Sequence, residues 1–275
     1  MDSDRATSKT AGPNAPKHGV LLTVAYDGTA FSGWASQRDA RTVEDALRGA
    51  IRALDPRAEG PRGSSRTDAG VHAEGQLAAF DASLEIPARG WVLALNQHLP
   101  DDVSVRAART VPVSYSPRFA SKKKRYRYRL LLDKVRDPLL RDRAWRIGYD
   151  LDMEAMRREA QAIVGTHDFA AFRSAGDERD VTTRTIHAVS VEPEDAGRRV
   201  WSVAIEGNAF LYNMVRILVG TLVDVARGHL EEGTIARALA SRDRSHAGQT
   251  APAQGLVLEH VDVEVPEGAG EPWPR

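Results

Sequence analysis

Residues 63–76 read GSSRTDAGVHAEGQ and lead directly into the apolar run QLAAF at 76–80. Among small residues the stretch displays one carboxylate, Asp68, two places after Arg66. Glycine permits a positive φ or the close approach of another backbone, so the sequence predicts a tight, closely packed loop. Two interpretations fit. In one, Asp68 is a functional carboxylate; in the other, it accepts backbone N–H groups in an ordinary Asx-type turn.

Strands and helices alternate on both sides of this loop. VLLTVAYDG (20–28) is typical of a strand that ends at a turn, and TVEDALRGAIRAL (42–54) has one apolar helical stripe with Thr42 as its N-cap. The same rhythm returns in the second half, which includes the apolar helix FLYNMVRILVGTLVDVA at 210–226. We therefore predict an α+β protein of two α/β subdomains. The predicted boundaries are a disordered arm at 1–17, subdomains at 18–113 and 114–265, and an acidic Pro/Gly tail at 266–275.

Composition excludes several classes of protein. The 275 residues contain no cysteine, which excludes disulfides, thiolate nucleophiles and Cys-ligated zinc. No apolar run approaches the roughly 20 residues that cross a bilayer, and the N-terminus lacks the apolar core of a secretory signal. We therefore expect a soluble, cytoplasmic protein with no membrane partner. The 38 basic and 38 acidic residues cancel, yet Ser116–Arg146 contains twelve Lys or Arg and three Asp. This local basic patch points to a polyanionic partner.

The most basic segment is SKKKRYRYRL at 121–130. Side chains alternate along a strand, so the tyrosines and the arginines are predicted on opposite faces. One face can follow a phosphate backbone while rings of the other stack on bases. The alternative is a strand with its tyrosines in the core and a solvated basic face. This alternative suits Tyr128 better than Tyr126, which lies nearer the start of the strand.

The apolar helix at 209–226 carries one charge in its middle, Arg216. A buried guanidinium without a partner costs several kcal/mol, so we expect it to meet a carboxylate. Asp68 is our choice, and the pair would keep that carboxylate ionised and oriented. A structural salt bridge elsewhere or a snorkelling side chain is the open alternative.

These segments, in this order, resemble the TruA family of tRNA pseudouridine synthases. The family motif G-R-T-D-A-G-V-H-A-x-G-Q is matched at 66–76 after the first glycine, where Ser64-Ser65 replaces the Ala-Gly of many members. A second departure is Gln254, where many members have histidine. Further matches span the chain from about His18 to Val263: YDGTAFSGW (26–34), KKRYRYRL (123–130), GTHDFAAFRSAG (165–176), TTRTIHAV (182–189), FLYNMVRILVGTL (210–222) and APAQGLVL (251–258).

The resemblance implies a pseudouridine synthase fold with mostly antiparallel sheets flanked by helices and an active-site cleft between the subdomains. It implies a homodimer that isomerises uridine at nucleotides 38, 39 and 40 of the tRNA anticodon stem-loop without a cofactor or obligatory metal. Asp68 is implied as the essential carboxylate, Tyr126 as the ring against the target base, Arg216 as the partner of Asp68, and Arg66 as an aid to base displacement. Lys122, Lys123, Lys124 and Arg125 are predicted RNA-backbone contacts.

The chemical role of Asp68 stays open. Attack on ribose C1′, attack on the uracil ring and deprotonation of the ribose all need an ionised carboxylate. The small residues of the loop would leave room for a flipped nucleotide. Two rival functions remain: a tRNA-binding protein that does not catalyse, and a hydrolase that would need a second carboxylate such as Glu74.

Overall fold

Strands and helices alternate along the chain, as the sequence predicts. The structure is a computed structural model and describes residues 16–177, 179–195, 197 and 199–274, so the predicted arm at 1–17 lies outside it except for its last two residues. The α-helices of this described part are α1 (Val43–Leu54), α2 (Ala88–Asn96), α3 (Pro117–Ala120), α4 (Met153–Ala160), α5 (Met214–Ala226) and α6 (Thr234–Ser241). The strands are β1 (His18–Tyr26), β2 (Arg62–Gly63), β3 (His72–Ala82), β4 (Val103–Val111), β5 (Ser121–Leu132), β6 (Trp145–Ile147), β7 (Gly165–Asp168), β8 (Thr183–Asp195), β9 (Val200–Gly207) and β10 (Leu256–Val263).

One continuous sheet joins the two halves of the chain. Its order is β4-β1-β3-β10-β5-β9-β8-β7, with β2 added beside β3 and β6 beside β5. The pairs are antiparallel except β10 with β3 and β5 with β6. The mixed α/β architecture with a mostly antiparallel sheet confirms the predicted fold class. The buried apolar residues of both halves form one continuous core cluster.

The last strand is the seam between the halves. β10 pairs in parallel with β3 of the first half through Val257↔His72 and Leu258↔Ala73, and antiparallel with β5 of the second half. At this seam Gly75 lies so close to β10 that a Cβ there would overlap the Glu259 carbonyl oxygen. The half of the chain that carries the Asp68 loop is therefore joined to β5 by β10.

Local sequence signals explain the start of α1 and the alternation of side chains along β5. The Thr42 side chain accepts the Asp45 N–H at the start of α1, and the predicted apolar stripe of that helix is buried. Along β5, Tyr126, Tyr128 and Leu130 are buried while the arginines between them face the other way, which confirms the predicted alternation. No helix in the described part of the chain is long and apolar enough to span a bilayer.

The apolar helix α5 begins at Met214, four residues later than the sequence predicts. Asn213 has φ +59°, in the left-handed region, so the chain cannot enter the helix before it. Its side chain makes two hydrogen bonds: Nδ2 donates to Ser174 Oγ at 2.7 Å, and Oδ1 accepts from Arg216 at 2.6 Å. The predicted start was wrong because apolar residues continue upstream of this turn.

Candidate active site

The loop that carries Asp68 runs from β2 to β3 and rests on the segment at 31–34. Trp34 N–H donates to the Thr67 carbonyl at 3.1 Å, and Gly70 N–H donates to the Phe31 carbonyl at 3.2 Å. Gly33 has φ +99°, and a Cβ there would lie 2.7 Å from the Thr67 oxygen, so only glycine fits this contact. The YDGTAFSGW segment thus serves as the platform of the loop.

The glycines of the loop serve protein packing. A Cβ at Gly63 would overlap the Trp34 indole, and Gly75 is pressed against the Glu259 backbone. The expectation of close backbone approach is confirmed at Gly75, whereas Gly63 is close to a side chain. The expectation that these residues leave room for a nucleotide is wrong there, because protein atoms already fill that space.

The structure brings Asp68 and Arg216 together across the two halves of the chain. Arg216 Nη1 lies 3.4 Å from Asp68 Oδ2, and both side chains are 18 % exposed. This contact is long for a charge-assisted hydrogen bond, which is usually about 2.7–2.9 Å. The guanidinium is held in place by shorter bonds, from Nε to the Ala251 carbonyl at 2.8 Å and from Nη1 to Asn213 Oδ1 at 2.6 Å.

Burial decides the protonation preference of Asp68. Loss of solvent raises the pKa of this carboxyl above its usual range, and the opposing effect of Arg216 is smaller. Arg216, the partner that the sequence predicts, lowers the pKa of Asp68 and so favours its ionised form, but burial has the larger effect. Among the described residues no second carboxylate acts on Asp68, which disfavours a two-carboxylate glycosidase site.

Two buried phenols flank the carboxyl. The Tyr126 hydroxyl lies 2.9 Å from Ser65 Oγ, and its ring meets Phe210 edge-on at 5.1 Å. The Tyr26 hydroxyl lies 2.7 Å from Thr67 Oγ1. Burial raises the pKa of Tyr126 to about 12 and raises that of Tyr26 as well; in both, the Asp68 charge adds to the effect. Both phenols therefore stay protonated at neutral pH.

The predicted RNA-contact residues differ in whether a protein carboxylate pairs with them. Arg66 is exposed, and its side chain has no partner among the described residues. Three of the four basic residues at 122–125 pair with carboxylates. The pairs are Lys122 with Glu264 at 2.6 Å, Lys123 with Glu206 at 3.1 Å and Asp262 at 3.3 Å, and Arg125 with Glu259 at 2.8 Å.

Lys124 is the fourth of these residues and differs from the other three. It lies on the Tyr126 face of β5, and its Nζ donates to the Ser64 carbonyl at 2.7 Å and to Ser65 Oγ at 3.3 Å. Arg125 lies on the opposite face of the strand, where Arg127 pairs with Glu74 and with two further glutamates. The arginine face is thus largely neutralised, and Glu74 does not reach the Asp68 side.

His72 has a structural role. It is the first residue of β3 and is buried; Nδ1 accepts the Gly28 N–H at 3.1 Å, and Nε2 donates to the Gln254 carbonyl at 3.2 Å. Burial lowers the pKa of this imidazole, and the nearby Arg143 adds to the effect. The neutral ring ties the 27–28 turn to the segment before β10.

Sequence reasoning missed several contributors to the site. Tyr26 stands in the quoted YDG segment, but nothing in a β-strand pattern distinguishes it from an ordinary core tyrosine. Ser65 drew attention only as a departure from the family motif, and it proves to hold the Tyr126 hydroxyl. Two residues that orient Arg216 could not be identified from the sequence. Asn213 acts from a left-handed turn that the sequence does not reveal, and Ala251 acts through its backbone carbonyl, which every residue has.

The site assembled in this way joins a buried carboxyl, one cation and two phenols at the junction of the two halves. Comparison with known proteins gives a consistent result. A sequence profile described as tRNA pseudouridine synthase matches residues 22–120 and 160–263. The chain is 43% identical to "tRNA pseudouridine synthase A" of Acetivibrio thermocellus over 242 residues, which covers 88% of this chain and 98% of that protein.

Other relatives give similar values. The protein of the same name from Thermoanaerobacter sp. is 42% identical over 239 residues and covers 87% of this chain and 97% of that protein. Its counterpart from Geobacter sp. is 42% identical over 243 residues, with 88% and 97% covered. Among solved structures, a chain of a Cbf5-Nop10-Gar1 complex aligns with a TM-score of 0.31 and 14% identity, over 78% of this chain and 55% of that one. That likeness is too weak to bear on the site.

Proposed function

The chain belongs to the tRNA pseudouridine synthase family, and on this premise we propose that it converts uridine to pseudouridine at nucleotides 38, 39 and 40 of the tRNA anticodon stem-loop. Membership makes it an isomerase that acts on tRNA. The choice of nucleotides rests on the motif matches along the chain. The residue roles rest on one observation, the buried Asp68 beside the Arg216 guanidinium and between two phenols.

The proposed reaction breaks the bond between ribose C1′ and uracil N1, rotates the base and joins C1′ to C5. The C5 proton leaves and N1 gains a proton, so the composition of the RNA does not change. Asp68 is the essential carboxylate in this proposal. Attack on C1′, attack on the uracil ring and deprotonation of the ribose each require the ionised form, and a desolvated carboxylate is a stronger base or nucleophile than a hydrated one.

Arg216 supports Asp68 in two ways. Its positive charge lowers the pKa of the Asp68 carboxyl and so offsets part of the increase that burial causes. Its bonds to Asn213 and Ala251 fix the guanidinium independently of Asp68, so the cation keeps its place while the carboxylate reacts. A preorganised charge of this kind stabilises a reacting anion without reorganisation during the reaction.

Tyr126 and Arg66 serve the target nucleotide. A base inside a stem must leave the stack, which costs a few kcal/mol, and packing on an aromatic ring returns about 1–3 kcal/mol. We assign the stacking role to Tyr126, whose ring lies next to Asp68. Arg66 has no protein partner among the described residues and lies two positions from Asp68, so its guanidinium is available to fill the space that the displaced base leaves.

We further propose that the protein works as a homodimer in the cytoplasm and uses no cofactor. Light scattering on the purified protein should give a mass twice the 30.1 kDa of one chain. A monomeric mass in fully active protein would remove the dimer from the proposal and leave the chemistry intact.

The decisive experiment maps pseudouridine at nucleotide resolution on unmodified tRNA transcripts incubated with wild type or with Asp68→Asn. We expect conversion at 38–40 with wild type and none with the variant, while tRNA affinity changes little. Binding without conversion by wild type would favour a non-catalytic tRNA-binding protein. Release of free uracil would favour a hydrolase. Conversion by Asp68→Asn would remove this residue from the catalytic role.

A further inference from the structure

Lys124 is the cation of β5 that the structure leaves open to an outside anion. Its ammonium has three donors, of which one meets the Ser64 carbonyl and one meets Ser65 Oγ. No carboxylate pairs with it among the described residues, whereas Lys122, Lys123 and Arg125 each have one. One donor of Lys124 thus remains for a further acceptor.

The groups that face Lys124 are positive or neutral. The pKa of this lysine is lowered to about 8, mainly by burial and in addition by charge repulsion from Arg118 and Arg179. Arg118 is exposed on α3 and has no carboxylate partner within the described ranges. Arg179 pairs with Asp177 at 2.7 Å. The remaining neighbours are Ser64 and Ser65. An anion bound between Lys124 and Arg118 would pair with both cations and would remove the repulsion between them.

The same ammonium is linked to the reaction centre. Lys124 Nζ, Ser65 Oγ and the Tyr126 hydroxyl form a continuous chain with steps of 3.3 Å and 2.9 Å. The next loop residue after Ser65 is Arg66. Ser65 stands at one of the two positions where this chain departs from the family motif, so the motif alone does not supply the hydroxyl of this link.

We propose that Lys124 and Arg118 bind one phosphate of the RNA strand beside the extruded nucleotide, and that Lys124 also positions the Tyr126 hydroxyl through Ser65. The inference rests on the proposed function, because it takes the tRNA as the source of the phosphate. Phe119, next to Arg118, is 88 % exposed, and a free ring beside unpaired cations is typical of surfaces that hold single-stranded nucleic acid.

The test of the phosphate site is the salt dependence of affinity for an anticodon stem-loop RNA. Each phosphate contact adds about one to the slope of log affinity against log salt. We expect Lys124→Met and Arg118→Gln each to lower this slope by less than one, because the other cation still holds the phosphate. The double variant should lower it by about one, while Lys124→Arg keeps it. Lys17→Met is the matched control, because Lys17 lies before β1 in the sequence and already pairs with Glu85 at 3.1 Å. The salt slope of this variant should equal that of wild type.

A pH series gives a second readout of Lys124. As pH rises from 7 to 8.5 through the pKa of about 8, the free protein loses the charge on this lysine, so wild-type affinity should fall by up to about fourfold. Lys124→Arg stays charged throughout and should not show the fall. An unchanged slope in the double variant, or a pH response in Lys124→Met equal to that of wild type, would overturn the phosphate site.

The positioning role is tested by Ser65→Ala. We expect this variant to lower kcat while KM and the salt slope stay at wild-type values, because the phosphate contact remains. Because the Ser65 hydroxyl is hydrogen-bonded to the Tyr126 hydroxyl, its loss should shift the ¹³Cζ signal of Tyr126, which NMR of ¹³C-labelled tyrosine can follow. An unchanged kcat and an unchanged Tyr126 signal would overturn this role. In all these tests wild type must convert RNA; if it does not, the proposed function fails, and not merely the inference.

Discussion

Replacement of Arg216 by methionine tests whether this cation keeps Asp68 ionised. At the observed 3.4 Å between Nη1 and Oδ2, two unit charges attract by about 5 kcal/mol at an effective dielectric constant of 20. The contact is long and partly solvated, so the measurable share is closer to the roughly 1.5–3 kcal/mol of a hydrogen bond to a charged group. That share corresponds to a roughly 10- to 150-fold loss of rate near neutral pH.

The direction of the pH effect follows from the same pair. Burial already raises the pKa of Asp68, and Arg216 works against it. Without the guanidinium the pKa rises further, so the acid limb of the rate profile should move to higher pH and part of the lost rate should return in alkaline buffer.

Single-turnover conversion of an anticodon stem-loop RNA across a pH series measures both quantities. Arg158→Met is the control, since its pair with Glu232 at 2.7 Å is solvent-exposed and such pairs contribute little. A wild-type rate and acid limb in Arg216→Met would refute the electrostatic role. A lower rate with an unmoved acid limb would show that Arg216 orients the carboxylate without setting its ionisation.

Substitutions at three further positions probe other parts of the site. Asp68→Asn should abolish pseudouridine formation in nucleotide-resolution mapping and leave the RNA affinity close to that of wild type; residual turnover would contradict its assignment. Tyr126→Phe keeps the ring and should keep much of the RNA binding while its kcat falls as in Ser65→Ala, whereas Tyr126→Leu should lose conversion altogether, and equal rates in the two Tyr126 variants would argue against stacking. Gly33→Ala places a side chain at φ +99° against the Thr67 oxygen, which should cost about 1–3 kcal/mol. Thermal unfolding would show this as a lower Tm, and an unchanged Tm would mean that the loop can move away from its platform.

Local features of the chain were predictable because their causes are local. The apolar stripe and Thr42 cap of α1 and the alternation along β5 depend on neighbours a few positions away, and both are observed. The start of α5 was not predictable, because the left-handed turn at Asn213 is fixed by its contacts with Ser174 and Arg216. Composition favours the helix at that point, and tertiary contacts override it.

The site shows the same division. A charged side chain in a buried helix needs a partner of opposite charge, and this requirement allowed us to predict from the sequence that Arg216 contacts Asp68. The pKa of Asp68 depends on how much protein covers it, which no spacing of residues reveals. Likewise, the sequence predicts that the loop needs its glycines, but it does not reveal what they contact. A side chain at Gly63 would overlap the Trp34 indole, and a side chain at Gly75 would overlap the backbone of β10.

The position of β10 at the seam has a consequence for how the enzyme is made. β10 follows β3 and β5 in the chain, so during synthesis both strands have an unpaired edge until β10 is made, and such edges are prone to associate with other chains. A chain without residues 256–263 would keep Asp68, Tyr126 and Arg216 but would lack the strand that pairs with both halves. The presence of the reactive groups is therefore not sufficient to assemble the site, because β10 must also be in place.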